Sequence, residues 1–230
     1  MMLDPLYMLL LVVTGVIGFA SSARVKSTFA KWDKVTNSSG MTGAEIAREI
    51  LRRSNITSVT VEQVDGFLSD HYDPSKKVLR LSSKVYSGRS VASAGVAAHE
   101  VGHALQHAYG YWPLGVRTML APSAALGSNL SNLAILGGLL IGSMGLVKIG
   151  VLFFSLMVAF VIITLPVEFD ASSRAKRLLP EMGLVTGDQG VGVASVLNAA
   201  AMTYVAGAVA AIGQLLYWLW VSGLIGGRDD

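Results

Sequence analysis

The segment HEVGH, residues 99–103, places two imidazoles and a carboxylate within a short apolar stretch. If it is helical, His99 and His103 lie on one face, and Glu100 follows His99 by about 100°. Two imidazoles in this register can bind one metal ion, and the neighbouring carboxylate can take a proton from water there. The chain has no cysteine, so further ligands must be histidines or carboxylates. This pattern predicts one Zn²⁺ per chain, with Glu100 as general base.

A catalytic zinc site needs a third protein ligand and an open fourth position. His107 follows four residues later, but positions i and i+8 of a continuous helix are about 12 Å apart, too far to share one ion. We therefore expect His107 to face solvent or to support a ligand. Glu168 is the preferred third ligand, because a transmembrane hairpin would return it to the membrane surface near the HEVGH helix. Pro166 predicts a helix boundary that places Glu168 in the first turn of a new helix.

Long uncharged runs indicate a membrane protein. The chain is 52% hydrophobic and only 14% charged, with a mean hydropathy of +0.55, unlike an average soluble domain. A run of 19 residues makes about 28 Å of helix, enough to cross a bilayer core. We predict four transmembrane helices, near residues 5–22, 122–145, 149–166 and 201–224.

The first run could also be a cleaved signal peptide. Signal peptides begin with basic residues, whereas this chain begins MMLDP and its basic residues follow the apolar run. The pattern therefore favours a retained N-terminal anchor.

The distribution of basic residues predicts the orientation in the membrane. Sixteen of the 18 lysines and arginines lie in residues 21–118 and 167–199, leaving only Lys148 and Arg228 elsewhere. By the positive-inside rule these two segments are cytosolic and both termini lie outside. We thus expect a multi-pass plasma membrane protein in contact with the lipid bilayer, with a cytosolic active site. The net charge of +3 is modest, and we expect no nucleic-acid partner.

The segment after the first span predicts a small α+β domain. Residues 42–55, TGAEIAREILRRSN, form a helical pattern in which Thr42 and Glu45 make a capping box. Residues 56–81 alternate in polarity, with DPSK as a turn, and predict an antiparallel sheet of about three strands. The predicted parts are an N-terminal anchor (1–22), a cytosolic α+β domain with the HEVGH helix (23–118), a transmembrane hairpin (119–166), a cytosolic helical segment with the third ligand (167–199) and a C-terminal transmembrane helix (200–230).

Several blocks of sequence resemble a known family. HYDPSKKVLRLSSKVYSGRSVASAGVAAHE, HEVGHALQHA, EFDAS and VLNAAAMTYVA look like the YugP-type family of bacterial membrane zinc metallopeptidases, over roughly residues 65–110, 164–178 and 194–208. More distantly, the chain is similar to HtpX-type and CAAX-prenyl-type membrane proteases, which are gluzincins with two histidines and one glutamate on zinc. The resemblance implies that His99, His103 and Glu168 are the zinc ligands and that Glu100 is the base.

The same resemblance implies supporting roles. The distant relatives carry an aspartate four residues after the glutamate ligand, where this chain has Ser172, so that role falls to Asp170 or Ser172. In gluzincins the strand before the zinc helix, here residues 77–81, pairs with an extended substrate. The group that stabilises the oxyanion is left open among three candidates, which are His71, Arg174 and Tyr204.

These observations predict an α-helical membrane protein with about four transmembrane helices and a small cytosolic α+β gluzincin-like zinc protease domain. As a zinc metalloendopeptidase it would cleave unfolded, extended or membrane-associated polypeptides at the cytosolic face of a bacterial plasma membrane. The alternatives are a zinc amidohydrolase acting on a non-peptide amide and a non-catalytic, zinc-stabilised membrane scaffold. Small residues in GGLLIGSMG and AGAVAAIG allow a homo-oligomer or, as we favour, packing within one chain.

Overall fold

A computed structural model describes residues 4–66 and 68–226, which leaves Arg228 and both ends of the chain outside the described residues. Within those residues the chain is mostly helical, with seven helices and three strands. The elements are α1 (Pro5–Trp32), α2 (Gly43–Arg53), β1 (Thr60–Val64), β2 (His71–Asp73), β3 (Val78–Ser82), α3 (Ser83–Ser87), α4 (Val91–Ala108), α5 (Trp112–Ile141), α6 (Met144–Glu181) and α7 (Gln189–Val221).

The described residues form two compact units. The first contains the residues up to Ala20, Gly115–Leu165 and those from Thr203 onwards, and the second contains Ser21–Leu114 and Pro166–Met202. Helices α1, α5, α6 and α7 are long and apolar enough to cross a membrane, as the uncharged runs predicted. The outward side chains of α1 are large and apolar, including Leu9, Val12 and Phe19, a surface typical of contact with lipid.

One predicted helix boundary is wrong. α6 runs without interruption through Pro166, so Glu168 lies well inside a helix of 38 residues and not in the first turn of a new one. A proline removes one backbone hydrogen bond. Long membrane helices tolerate this loss because the turns on either side are held by packing against neighbouring helices.

Glycines in the first unit permit close packing within the chain. A methyl group on Gly138 of α5 would approach the backbone nitrogen of Val147 to 2.8 Å, and one on Gly150 of α6 would approach that of Ile135 to 2.9 Å. These small residues of the predicted hairpin therefore allow α5 and α6 of one chain to pack closely. At the start of α1, the Tyr7 ring stacks on Tyr217 of α7 with centroids 4.8 Å apart.

The sheet in the second unit is mixed, which corrects the predicted antiparallel arrangement. β3 is the central strand; it pairs with β1 in parallel and with β2 in the antiparallel sense. A tight turn, in which Asp73 accepts hydrogen bonds from the backbone of Ser75 and Lys76, joins β2 to β3. The longer β1–β2 connection lets β3 lie between the other two strands. Alternating polarity predicts strands but does not determine this order.

The central position of β3 also makes the substrate prediction for residues 77–81 wrong. Both backbone edges of a central strand are already paired, and Leu79 and Leu81 are fully buried. An incoming strand can pair only with an edge strand. Among the described strands, the edges of this sheet belong to β1 and β2.

α4 passes through the core of the second unit. α2 packs there through Ile46 and Ile50, which are fully buried, and burial of such a side chain contributes about 1.5–3 kcal/mol. The predicted capping box of α2 is confirmed, since Thr42 Oγ1 accepts from the Glu45 backbone and Glu45 Oε2 accepts from the Thr42 backbone. One face of α4 is rich in alanine, whose small side chain allows neighbouring elements to approach closely. Three of these alanines are fully buried: Ala94, Ala97 and Ala98.

Candidate metal centre

The two histidines of the HEVGH segment lie on one face of α4, as their spacing predicts. α4 begins after Ser90, whose side chain accepts a hydrogen bond from the Ser93 backbone, and continues to Ala108. The rings of His99 and His103 meet edge to face, with centroids 4.8 Å apart. The His103 side chain is buried, whereas that of His99 is 14% exposed, so the pair is reached from the His99 side.

Glu168 of α6 brings a carboxylate to both imidazoles. Its Oε2 atom lies 3.2 Å from His99 Nε2 and 3.6 Å from His103 Nε2. One ligand atom from each of the three residues lies within 4.8 Å of the others. Donors bonded to one tetrahedral zinc ion at about 2.0–2.1 Å would be roughly 3.3 Å apart. The nitrogen and carboxylate donors therefore fit zinc in both chemistry and spacing.

The remaining ring nitrogens have separate partners. His99 Nδ1 lies 3.1 Å from Ser172 Oγ, and His103 Nδ1 lies 2.9 Å from Gln106 Oε1. Gln106 in turn donates to Asp170 Oδ2 at 2.8 Å. The sequence left the supporting role open between Asp170 and Ser172; the structure connects each of them to a different histidine.

Gln106 is the residue of the site that the sequence analysis missed. It is fully buried, and a buried amide requires hydrogen-bond partners. A signal was present, because Gln106 is a polar residue three positions after His103 on an apolar helix. Its other two partners, the Val167 carbonyl and Asp170, lie more than 60 residues away along the chain, and the sequence pattern alone does not identify them.

Glu100 lies next to the histidines in a dry environment. Its side chain is buried, and burial raises the pKa of its carboxyl above the ordinary value, although His99 and His103 oppose this effect. The negative charges of Glu168 and of Asp70, which lies immediately before β2, raise the pKa of Glu100 further. Asp70 is itself fixed by the backbone N–H of Ser82, which donates to it at 2.8 Å.

The other histidines and the oxyanion candidates have other contacts. His107 is exposed, as expected, with its Nδ1 atom 2.8 Å from the hydroxyl of Tyr72. His71 Nδ1 lies 2.8 Å from the Ser69 carbonyl oxygen, and Arg174 Nε donates to Asp170 at 2.6 Å. Tyr204 belongs to the first unit. His71 and Arg174 are thus each held in place by a hydrogen bond.

Comparison with known proteins identifies a family of zinc metallopeptidases. A family model described as "Putative neutral zinc metallopeptidase" matches residues 7–223. The chain is also 46% identical over 214 residues to the "Putative membrane protease YugP" of Bacillus subtilis (strain 168), covering 93% of this chain and 94% of that protein. No solved structure matches the chain. The predicted resemblance is therefore confirmed, and the chain belongs to this family of zinc metallopeptidases.

Proposed function

We propose that this protein is a zinc metalloendopeptidase with a gluzincin-like site, embedded in a bacterial plasma membrane. One observation carries the proposal: the ligand atoms of His99, His103 and Glu168 converge within 4.8 Å, beside the buried carboxylate of Glu100. Two imidazoles and one carboxylate are a donor set typical of catalytic zinc sites that keep an open position. Membership of the metallopeptidase family supports the same reaction.

His99 Nε2, His103 Nε2 and Glu168 Oε2 would hold the zinc ion. When bound, zinc supplies a Lewis acid that polarises a carbonyl and lowers the pKa of water. Glu100 acts as the general base, takes a proton on its carboxylate and passes it to the leaving amine. Burial favours this exchange, because a raised pKa makes the carboxylate a stronger proton acceptor than an exposed glutamate.

We place an extended substrate against the outer edge of β2 and not against the central strand, β3. β2 is an edge strand, and Asp70 at its start acts electrostatically on Glu100. A polypeptide that pairs with this edge would be held mainly through its backbone, with weak dependence on side chains. This mode of binding suits unfolded, extended or membrane-associated polypeptides as substrates.

We further propose that the site faces the cytosol. The segments that contribute the second unit carry nearly all lysines and arginines of the chain, and such segments remain on the cytosolic side. Lys148 is the one basic residue between α5 and the second half of α6. With four candidate spans, both termini lie on the same side, and cytosolic basic segments would place them outside the cell.

The Glu100→Gln variant of the full-length, detergent-purified protein tests the function. Hydrolysis of casein or a peptide library should fall at least about 100-fold, because the general base is lost, while zinc content stays near one per chain. Glu181→Gln, which changes an exposed carboxylate at the end of α6, is the control and should retain activity. Unchanged hydrolysis in Glu100→Gln would contradict the mechanism. A parent protein that holds zinc but hydrolyses no peptide would instead support the scaffold or a non-peptide amidohydrolase.

A further inference from the structure

Gln106 makes three hydrogen bonds in the interior of the second unit. Its Oε1 atom lies 2.9 Å from His103 Nδ1, while its Nε2 atom donates to the Val167 carbonyl at 2.7 Å and to Asp170 Oδ2 at 2.8 Å. The side chain is fully buried, so these partners must satisfy it without bulk water. Arg174 Nε donates to the same oxygen of Asp170 at 2.6 Å, so this oxygen is a hydrogen-bond acceptor.

The partners of Gln106 leave its amide only one orientation. The Val167 carbonyl and the Asp170 carboxylate accept hydrogen bonds and do not donate them. The amide must therefore turn its NH₂ group towards both of them and its oxygen towards His103. An amide oxygen only accepts, so His103 Nδ1 must carry a proton. In the neutral ring the lone pair then lies on Nε2, the atom that faces Glu168.

His99 is held differently. Its Nδ1 atom lies 3.1 Å from the hydroxyl of Ser172, and a hydroxyl can either donate or accept. Ser172 therefore fits either tautomer of His99, whereas Gln106 fits only one of His103. Of the two imidazoles, only His103 has its protonation pattern dictated by its neighbours.

We propose that Gln106, fixed by Asp170 and the Val167 carbonyl, is a positioning residue that locks His103 in the Nδ1–H tautomer required of an Nε2 zinc ligand. The inference rests on the zinc site of the proposed function but not on peptide hydrolysis. Residues that orient metal-bound histidines typically change metal affinity by about 10–100-fold when they are replaced. Gln106 would act in this way through Nδ1 without touching the ion.

Two variants test whether the donor and acceptor groups around Gln106 control zinc affinity. The affinity is measured by competition with a chromophoric chelator. Gln106→Glu keeps an acceptor for His103 but sets a carboxylate against Asp170 and the Val167 carbonyl, so the side chain loses the contacts that fix it and zinc binding should weaken by about 10–100-fold. Adding Asp170→Asn restores a donor, because the new amide can donate to position 106 and still accept from Arg174. The double variant should therefore regain most of the lost affinity. A double variant that binds zinc no better than Gln106→Glu would overturn the proposal.

Nuclear magnetic resonance of the imidazoles gives a second readout that needs neither zinc nor substrate. The chain has four histidines, so ¹⁵N labelling of histidine yields a simple spectrum. The parent should show an Nδ1–H signal for His103 that is protected from exchange, and Gln106→Met should lose it. Persistence of a protected signal in a folded Gln106→Met variant would count against the proposal.

Ser93→Ala controls for general damage to α4. Ser93 is also fully buried on this helix, but its hydroxyl contacts Ser90 and the Lys84 carbonyl, away from the histidines. This variant should lower thermal stability and leave zinc affinity and the His103 signal unchanged. If it weakened zinc binding as much as Gln106→Glu does, the effect at position 106 would be structural and the inference would fail. A parent that binds zinc without hydrolysing peptides would overturn the proposed function alone.

Discussion

Gly102 of α4 lies directly against the backbone of Ala171 in α6. A methyl group on Gly102 would come within 2.7 Å of the Ala171 carbonyl oxygen and 2.9 Å of its Cα atom. On α4, His99 lies three residues before Gly102 and His103 lies one residue after it. On α6, Glu168 and Ser172 lie three residues before and one residue after Ala171. The close approach therefore aligns the two pairs of side chains that form the centre.

Replacing Gly102 with alanine should separate the two helices. The added methyl group meets backbone atoms, which cannot move without shifting α6, and overpacking of this kind costs about 1–3 kcal/mol. We expect lower thermal stability and a zinc affinity reduced by at least about tenfold, comparable to the loss of a supporting residue. Thermal unfolding and chelator competition measure the two effects.

Gly95→Ala is the matched control on the same helix. A methyl group there would meet its nearest atom, Cγ1 of Val193, at an ordinary distance of 3.6 Å. Alanine also favours a helix by up to about 1 kcal/mol over glycine. Gly95→Ala should therefore be neutral or stabilising and should bind zinc as the parent does. Equal losses in both variants would show that the Gly102 contact has no special role.

The third ligand can be tested by comparing Glu168 with His107. Glu168→Ala removes one of the three converging donors, and zinc affinity should fall by more than the roughly 10–100-fold expected for a supporting residue. His107→Ala removes an exposed side chain that contacts the Tyr72 hydroxyl, and the metal content should remain near one per chain. Zinc stoichiometry in the opposite order would assign the third ligand to His107.

The sequence predicts local features of the site better than its long-range contacts. The spacing of His99 and His103 implies one helical face because helix geometry is local. The contact of Gly102 with Ala171 depends on two helices meeting, and nothing in HEVGH alone indicates it. The contacts of Gln106 are also partly long-range. Its amide oxygen contacts His103 on the same helix, whereas its amide nitrogen donates to Asp170 on α6. Glu168 is predicted from the transmembrane hairpin and from the family resemblance, both of which carry long-range information that the spacing within HEVGH lacks.

The strands illustrate a similar limit. The polarity pattern of residues 56–81 predicts strands, and β1 and β3 form there, although every residue of β3 except Arg80 is buried. It does not predict that β3 lies between β1 and β2, because the pattern along a strand is the same at the centre and at the edge of a sheet. Order follows from the lengths of the connections and from packing on α4. The substrate strand was misassigned for this reason.

Membrane orientation can be tested by cysteine labelling, since the parent has no cysteine. Lys76→Cys lies in the exposed turn between β2 and β3, and Gly145→Cys lies near the start of α6, where an added side chain meets no atom within 4 Å. If the basic segments are cytosolic, a membrane-impermeant maleimide should label Gly145→Cys in intact cells. It should label Lys76→Cys only after permeabilisation. Labelling of Lys76→Cys in intact cells would place the site on the outer face.

The pH dependence of activity should separate catalysis from folding. The Glu100 carboxylate must be deprotonated to act as a base, and burial raises its pKa. The charge of bound zinc acts against this rise, so the fall of activity on the acid side should come from protonation of Glu100 together with displacement of zinc from its ligands by protons. We expect a broad optimum near neutral pH, loss of activity with phenanthroline and recovery with added zinc.

Folding should persist where activity has gone. Hydrogen bonds from Ser75 and Lys76 lower the pKa of Asp73 to about 2. A lowered carboxyl pKa contributes stability that is present above the unfolded value and is lost only as pH falls towards about 2. The raised pKa of Asp70, caused by its burial, acts in the opposite direction, so that protonation of this group stabilises the fold as pH falls. Circular dichroism at about pH 5 should thus show a folded protein whose kcat/KM has already declined. Parallel loss of fold and activity, or activity that survives both chelation and about pH 4 with zinc absent, would rule out the proposed roles of Glu100 and the zinc ligands.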